Sequence, residues 1–393
     1  MKAVVVGGAL QGCEAVYLGI KAGWSLTLID RKESPAACGL CDKHIRMDVT
    51  AGGEGLVRIL AQADLVIPAL EDWDALKQLQ SAAERAGVPL AHDPSAYAIT
   101  ASKKRSDALF AEHGIPAPRS WPECGVPAIA KPSESSGSRG VRRLDTKGEV
   151  AAFLESIQGK REDWVIQEFL EGKSYSIEVF GCGGCYLTVQ VTDLEMDRGY
   201  DCRRVTAPTQ LPAEKESEFH ALAARIAEIV QLQGIMDVEV IDHEGTLKVL
   251  EIDARLPSQT PTAVLWSTGF NMLEALSDVF VHRRLPVISG ARPPQAVIYE
   301  HIMVSSGKIH FLGEHIMTRG GPLRLIEGFF GADEAITDHT PGAGDWVATL
   351  IHRGETPEEA WERRCSTIEA ICRQHRIPLP EEELNRCKGR GSR

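Results

Sequence analysis

The feature that most restricts the fold is a pair of apolar strands, MDVEVI and LKVLEIDAR, that carry acidic residues at alternate positions. Two β-rich runs, residues 235–242 and 246–253, are separated by only three residues, 243–245, and so read as a hairpin. Val238, Val240, Leu250 and Ile252 mark both as strands of a buried type. Glu251 and Asp253 share a face because strand side chains alternate with a period of two. Antiparallel pairing brings Glu239 across to them, and Arg255 extends the same face. Three carboxylates on one face repel one another unless a cation sits between them. Mg2+ with bridging phosphates suits such a set, since it takes a few carboxylates plus substrate oxygens. The competing reading is a solvated acidic face.

Upstream, strand and helix alternate. Residues 2–6 form a β-rich run, followed by the glycine turn GGALQG and a helix to about Ala22. A second strand over 25–29 ends at Asp30, another covers 65–68, and a helix covers 73–86. This rhythm implies a parallel sheet with helices on both faces. Ligands of such sheets sit beyond the carboxyl ends of the strands, where Leu10, Gln11, Asp30 and Glu71 fall. The turn supplies Gly7, Ala9 and Gly12, so it lacks the middle glycine of a dinucleotide fingerprint and is weak evidence for a nicotinamide cofactor.

Three further segments carry chemistry. AIAKP, with Lys131, precedes the small-residue loop SSGSRG, which includes Ser138. Backbone amides and hydroxyls there can wrap phosphates, with the lysine as a point charge; the alternative is a flexible surface loop. VIQEFLEG turns from a strand into a linker whose backbone can pair with an adenine edge, or is an ordinary strand end. A helix over 103–113 places Lys103 at its start and leads to the Pro-rich connector GIPAPRSWP, a hinge. Phe219, Leu222, Ile226 and Ile229 recur at helical spacing. Thr356-Pro357-Glu358-Glu359 opens a late helix, and the basic tail RCKGRGSR is expected to be disordered.

The 393 residues allow two or three domains, and a net charge of −12 without a basic stripe argues against a nucleic-acid binder. No apolar run reaches membrane-spanning length and the start reads as a strand, so a cytoplasmic location is expected. The ten cysteines, including the pairs Cys38/Cys41 and Cys182/Cys185, read as reduced thiols rather than a zinc site.

In order, Lys103, Lys131 with its loop, the QEFL hinge, Glu239 and E-x-D-x-R resemble the ATP-grasp superfamily over roughly residues 95–285. The resemblance implies an α/β chain with a Rossmann-like N-terminal domain (1–95), an ATP-grasp domain (96–285) and a small C-terminal α+β region (286–393). It implies ATP and Mg2+ as cofactors. Lys103 and Lys131 would contact phosphates, with Asp30 and Ser138 also on the nucleotide. Gln167, Glu168, Phe169 and Leu170 would form the adenine hinge. Glu239, Glu251 and Asp253 would bind the metal, Asp253 standing where the superfamily more often has Asn.

A narrower resemblance, carried by GGALQGCEAVYLGIKAG, SIEV, GYDCRRVTAP, GIMDVE, EIDARLPSQTPTAV and IYEH, is to the amino-acid ligases of pyrrolysine biosynthesis. It implies activation of the carboxylate of 3-methyl-D-ornithine as an acyl phosphate, and its capture by the ε-amine of L-lysine. Arg255 and Lys131 would then be catalytic. Ser176, Ile177, Glu178, Asp201, Ser258, Gln259 and Thr260 would hold the ornithine-like substrate. Lysine would lie near Leu10, Gln11 and Glu71, closed off by Tyr299, Glu300 and His301. The expected partners are small molecules, with no nucleic acid and no membrane; a homodimer is left open. Another ATP-grasp amino-acid ligase, a biotin- or purine-type carboxylase, and an NAD(P)-dependent oxidoreductase remain alternatives.

Overall fold

The computed structural model describes residues 1–135, 137–288 and 294–389. The apolar runs near the N-terminus form a parallel sheet of β1 (Lys2–Val6), β2 (Ser25–Asp30), β3 (Lys43–Arg46) and β4 (Leu65–Pro68), in the order β3-β2-β1-β4. Both faces are covered, as the βαβ rhythm requires. Val5 and Leu28 pack under α1 (Leu10–Lys21), while Val4, Val6 and Ile29 pack under α2 (Glu54–Leu60) and α3 (Trp73–Ala86). Asp72 caps α3 by accepting from Ala75 N at 2.9 Å, and Gly87 ends it in a left-handed conformation.

Helices α4 (Pro94–Thr100) and α5 (Lys103–His113) lead to a small antiparallel sheet. It contains β5 (Ala128–Pro132), β6 (Arg142–Leu144) and β7 (Trp164–Glu168), in the order β6-β5-β7. Ala130 packs beneath α6 (Lys147–Ser156). Ile129 and Lys131, half a period away, face the opposite side.

The third sheet has eleven strands. From the middle region come β8 (Lys173–Cys182), β9 (Cys185–Thr188), β10 (Thr192–Met196), β11 (Cys202–Ala207), β12 (Gly234–His243) and β13 (Thr246–Asp253). Packed with them are α7 (Ala213–Ile229), α8 (Thr260–Thr268) and α9 (Met272–Phe280). The C-terminal region adds β14 (Ala296–Ser305), β15 (Lys308–Phe311), β16 (Arg324–Glu327), β17 (Glu334–Thr337) and β18 (Trp346–Gly354), then α10 (Pro357–His375) and α11 (Glu381–Gly389). Because β11 pairs with β14, the C-terminal strands continue the middle region's sheet.

The hairpin forms, with one difference. Glu239 stands opposite Glu251, but Val240 stands opposite Val249, so Leu250 is a bulge. The bulge reverses the phase of β13. Leu247, Val249 and Ile252 enter the core, while Leu250, expected there, turns to a cleft.

The C-terminus departs from expectation too. Cys365 and Cys387 form a disulfide between α10 and α11, so two of the ten cysteines are not free thiols. The helix absorbs the first half of the basic tail; residues 390–393 lie outside those described. Cys182 and Cys185 face each other across the two-glycine turn between β8 and β9, while Cys38 and Cys41 lie in the N-terminal domain. Among the described residues neither pair joins a cluster able to hold a metal. No described helix is long and apolar enough to cross a membrane.

Candidate functional site

Strand pairing lays polar side chains out in rows. Ser176, Glu239 and Glu251 are neighbours across β8, β12 and β13, and Glu178, Asp237 and Asp253 form the next row. The residues between them, Ile177, Val238 and Ile252, point into the core on the other face. The Ile177 side chain, expected at the substrate, is thus in the core, on the face away from the carboxylates. Asp237 is the residue that sequence reasoning missed here, although it lies two positions before Glu239 and the period of two already placed it on this face.

These acids are too crowded to be charged together. Burial pushes Glu239 up to about 8, with Glu251 and Asp253 adding to the effect. Burial likewise pushes Asp253 up to about 7, against the pull of Arg255, and raises Asp237 well above the carboxylate range. Asp237 Oδ1 is buried without a partner. Glu251 differs: burial opposes its charge, but Lys103, 2.6 Å away, and Lys131 hold it below the ordinary value. A carboxylate set that cannot ionise alone, beside two lysines, fits a divalent cation carrying phosphates.

Next to this set, a cavity of about 420 Å³ lies between the small sheet and the large one. Its apolar wall includes Ile129, Phe169, Leu170, Ile241 and Leu250; its polar end includes Lys103, Lys131, Ser138, Arg139 and Glu251. The Arg143 guanidinium lies 4.2 Å from the Phe169 ring centre. Lys103 Nζ also donates to Ser135 O at 2.6 Å. Lys131 is buried, which lowers its pKa, and faces Glu251, Asp107 and Glu239. Ser138 Oγ donates to Tyr200 O at 2.5 Å, fastening the loop; Ser136 lies outside the described residues.

The hinge is only partly as expected. Glu168, Phe169 and Leu170 line the cavity. Burial works against the Glu168 charge, but Arg119 and Lys248 hold its carboxyl down at about 2. Gln167 turns the other way, donating to Asp107 Oδ2 at 2.7 Å, because its strand position puts it half a period from Glu168.

A second cavity of about 400 Å³ opens on the opposite side of the small-residue loop, and Arg139 borders both. Leu10, Gln11, Asp30, Glu71, Arg255, Ser258, Glu314 and His315 are among the residues that line it. Asp30, expected at the nucleotide, therefore belongs to this cavity, where it accepts from Gly8 N at 2.7 Å. Arg255 joins the sites. Its guanidinium is 2.9 Å from Asp253, and its Nε is 3.0 Å from Glu71 but out of line for a hydrogen bond.

Around the start of α8, Thr260 Oγ1 donates to Glu178, which burial pushes up to about 7. Glu14 of α1 was not singled out from the sequence. It accepts from Thr262 N at 2.7 Å, and burial pushes it up to about 7. Gln259 adopts a left-handed φ of 74°; burial raises the Glu314 carboxyl, and Ser258 and Gln259 beside it offset part of that. Asp201 lies 2.9 Å from His315 Nδ1. Glu314 and His315, also missed, come from a 3-10 turn with no motif of its own. Ligand atoms of Asp201, Glu314 and His315 lie within 4.8 Å of one another.

Glu300 corrects an expectation. It is 1% exposed and clamped by Arg204 at 2.7 Å and Arg364 at 2.6 Å. Burial works against its charge, but the two arginines hold the carboxyl far below its usual range. It is a structural anchor, unavailable to substrate. Its neighbours Tyr299 and His301 face the opposite way and are buried, with His301 Nδ1 2.8 Å from Thr349 Oγ1.

A sequence model of the ATP-grasp domain matches residues 100–259. The 3-methyl-D-ornithine–L-lysine ligase of Methanosarcina mazei is 33% identical over 361 residues, 92% of each chain. The biotin carboxylase domain of Hydrogenobacter thermophilus 2-oxoglutarate carboxylase superposes with a TM-score of 0.72 at 18% identity, covering 94% of this chain and 89% of that one. The N5-carboxyaminoimidazole ribonucleotide synthetase of Thermus thermophilus gives 0.67 at 17% identity, covering 96% and 99%. At such identities the two structures share a fold with this chain and nothing more specific.

Proposed function

The chain belongs to the 3-methyl-D-ornithine–L-lysine ligase family of ATP-grasp enzymes, and on that premise we propose how its own residues carry the reaction. It is an ATP-dependent ligase that joins the carboxylate of 3-methyl-D-ornithine to the ε-amine of L-lysine. The observation that supports the assignment best is the carboxylate rows opposite Lys103 and Lys131, at the junction of two cavities.

The adenine lies in the apolar cleft against Phe169, Leu170 and Leu250. The triphosphate runs toward Lys103, Lys131 and Ser138 beneath the small-residue loop. Glu239, Glu251 and Asp253 would hold Mg2+, which when bound offsets charge on the phosphates. The ornithine ammonium groups meet Glu178 and Asp237, whose carboxyls burial pushes up. Its carboxylate attacks the γ-phosphorus, giving an acyl phosphate and ADP. Arg255 stabilises charge on the acyl-phosphate oxygens. Lysine occupies the second cavity near Leu10, Gln11 and Glu71, with its ε-amine toward Ser258. That amine attacks the acyl carbon and phosphate leaves. Catalysis consists mainly of positioning and charge stabilisation.

We place the reaction in the cytoplasm, where ATP and free lysine meet. A homodimer is our proposal by likeness to the dimer described for the Hydrogenobacter domain. The test is ADP release by purified protein with Mg–ATP, D-ornithine as surrogate, and L-lysine. Release should require both amino acids. Bicarbonate-dependent release would instead indicate a carboxylase and refute the ligase reading.

A further inference from the structure

Lysine arrives with its ε-nitrogen protonated, and an ammonium has no lone pair with which to attack. The groups assigned above are committed elsewhere: three carboxylates to the cation, Glu71 to Arg255, and Glu178 and Asp237 to the ornithine ammonium groups. His315 is not committed.

His315 lines the second cavity beside Glu314, and Arg255 and Ser258 line it too. Its ring rests on the loop that covers the triphosphate. A Cβ added at Gly137 would stand 2.4 Å from Nε2, so only glycine, here at φ 60°, lets the ring sit so close. Asp201 fixes the ring from behind. Its Oδ2 lies 2.9 Å from Nδ1 and accepts the His315 backbone N–H at 3.2 Å. A carboxylate at Nδ1 selects the tautomer with hydrogen there, which leaves the Nε2 lone pair as acceptor. The charged and titratable groups facing the ring are Asp201 and Glu314, which favour its protonated form, Arg139, which disfavours it, and His301, whose own pKa the ring helps to lower. The Asp201 hydrogen bond prevails over burial, and the imidazole is a stronger base than an ordinary histidine.

We propose that His315, oriented by Asp201, is the base that accepts the proton of the lysine ε-ammonium. The proposal rests on the ligase reading. The N–H bond breaks, its electron pair stays on nitrogen, and the proton goes to Nε2. The nitrogen lone pair forms the C–N bond at the acyl carbon. The C–O bond to phosphate breaks, its electron pair leaves on phosphate, and the second surplus proton of the nitrogen goes with it. His315 returns its proton to water. Asp201 is a positioning residue.

The test compares two nucleophiles on the full chain with Mg–ATP and D-ornithine. Hydroxylamine is largely unprotonated at neutral pH and needs no base. His315→Gln should form the hydroxamate at the wild-type rate while amide formation with lysine falls by about 10²- to 10⁴-fold. The acid limb in the wild-type pH profile of kcat/KM for lysine should vanish with it. Asp201→Asn should keep that limb but move it to lower pH. A parallel loss of hydroxamate and amide, or a lysine rate within about threefold of wild type, overturns the proposal. Wild-type protein that makes hydroxamate but no lysine amide would sink the ligase reading instead, and the base assignment with it.

Discussion

Replacing Glu14 by Gln should stabilise the fold at pH 8 and leave it nearly unchanged at pH 4. Glu14 is 2% exposed on α1, and its carboxyl is pushed from 4.5 up to about 7, chiefly by burial. In the unfolded chain it ionises near its ordinary value. Below that value both states hold the proton and pH has no effect through this group. Between about 4.5 and 7 the unfolded chain has released the proton while the native state keeps it, so stability falls as pH rises; above about 7 the loss levels off. At roughly 1.4 kcal/mol per pH unit the full loss is about 3 kcal/mol. Gln cannot ionise, yet its side-chain oxygen still accepts from Thr262 N. Urea unfolding of both proteins from pH 4 to 8 reads the effect, because all other groups are common and cancel. A stability difference that does not grow in favour of Gln between pH 4.5 and 7 would refute the reasoning.

Arg364→Met should cost about 3–5 kcal/mol, because Arg364 is fully buried between Glu300 at 2.6 Å and Glu383 at 2.7 Å; an unchanged thermal transition would contradict this. Cys387→Ser opens a loop of 22 residues, which corresponds to about 3 kcal/mol. Hydrogen exchange in α11 should quicken while ADP release keeps its rate. Lys103→Met should raise the KM for ATP at least tenfold and leave Glu251 without its 2.6 Å partner; an unchanged KM would remove Lys103 from the nucleotide site.

The carboxylate rows were legible because a period of two and a short hairpin turn determine which residues share a face. The same rule would have delivered Asp237. The bulge was not legible: Leu247, Val249, Leu250 and Ile252 are all apolar, so either phase satisfies the pattern, and only pairing with β12 decides. Glu300 and Gln167 sit beside functional-looking neighbours, but face alternation and distant partners (Arg204, Arg364, Asp107) determine their roles. Glu14 left a readable signal, an acid amid the apolar positions of QGCEAVYLGI. Glu314 and His315 left none, since a five-residue 3-10 turn is too short to display its period and reaches the cavity only through the long path of the large sheet.

The most direct test of the account is the mass of the product made from ATP, Mg2+, D-ornithine and L-lysine. One amide joining the two amino acids through the lysine ε-nitrogen should form with one ADP released, and Glu251→Ala should abolish both while keeping the wild-type circular dichroism. No such amide from the wild-type protein, or normal turnover by the variant, would contradict it.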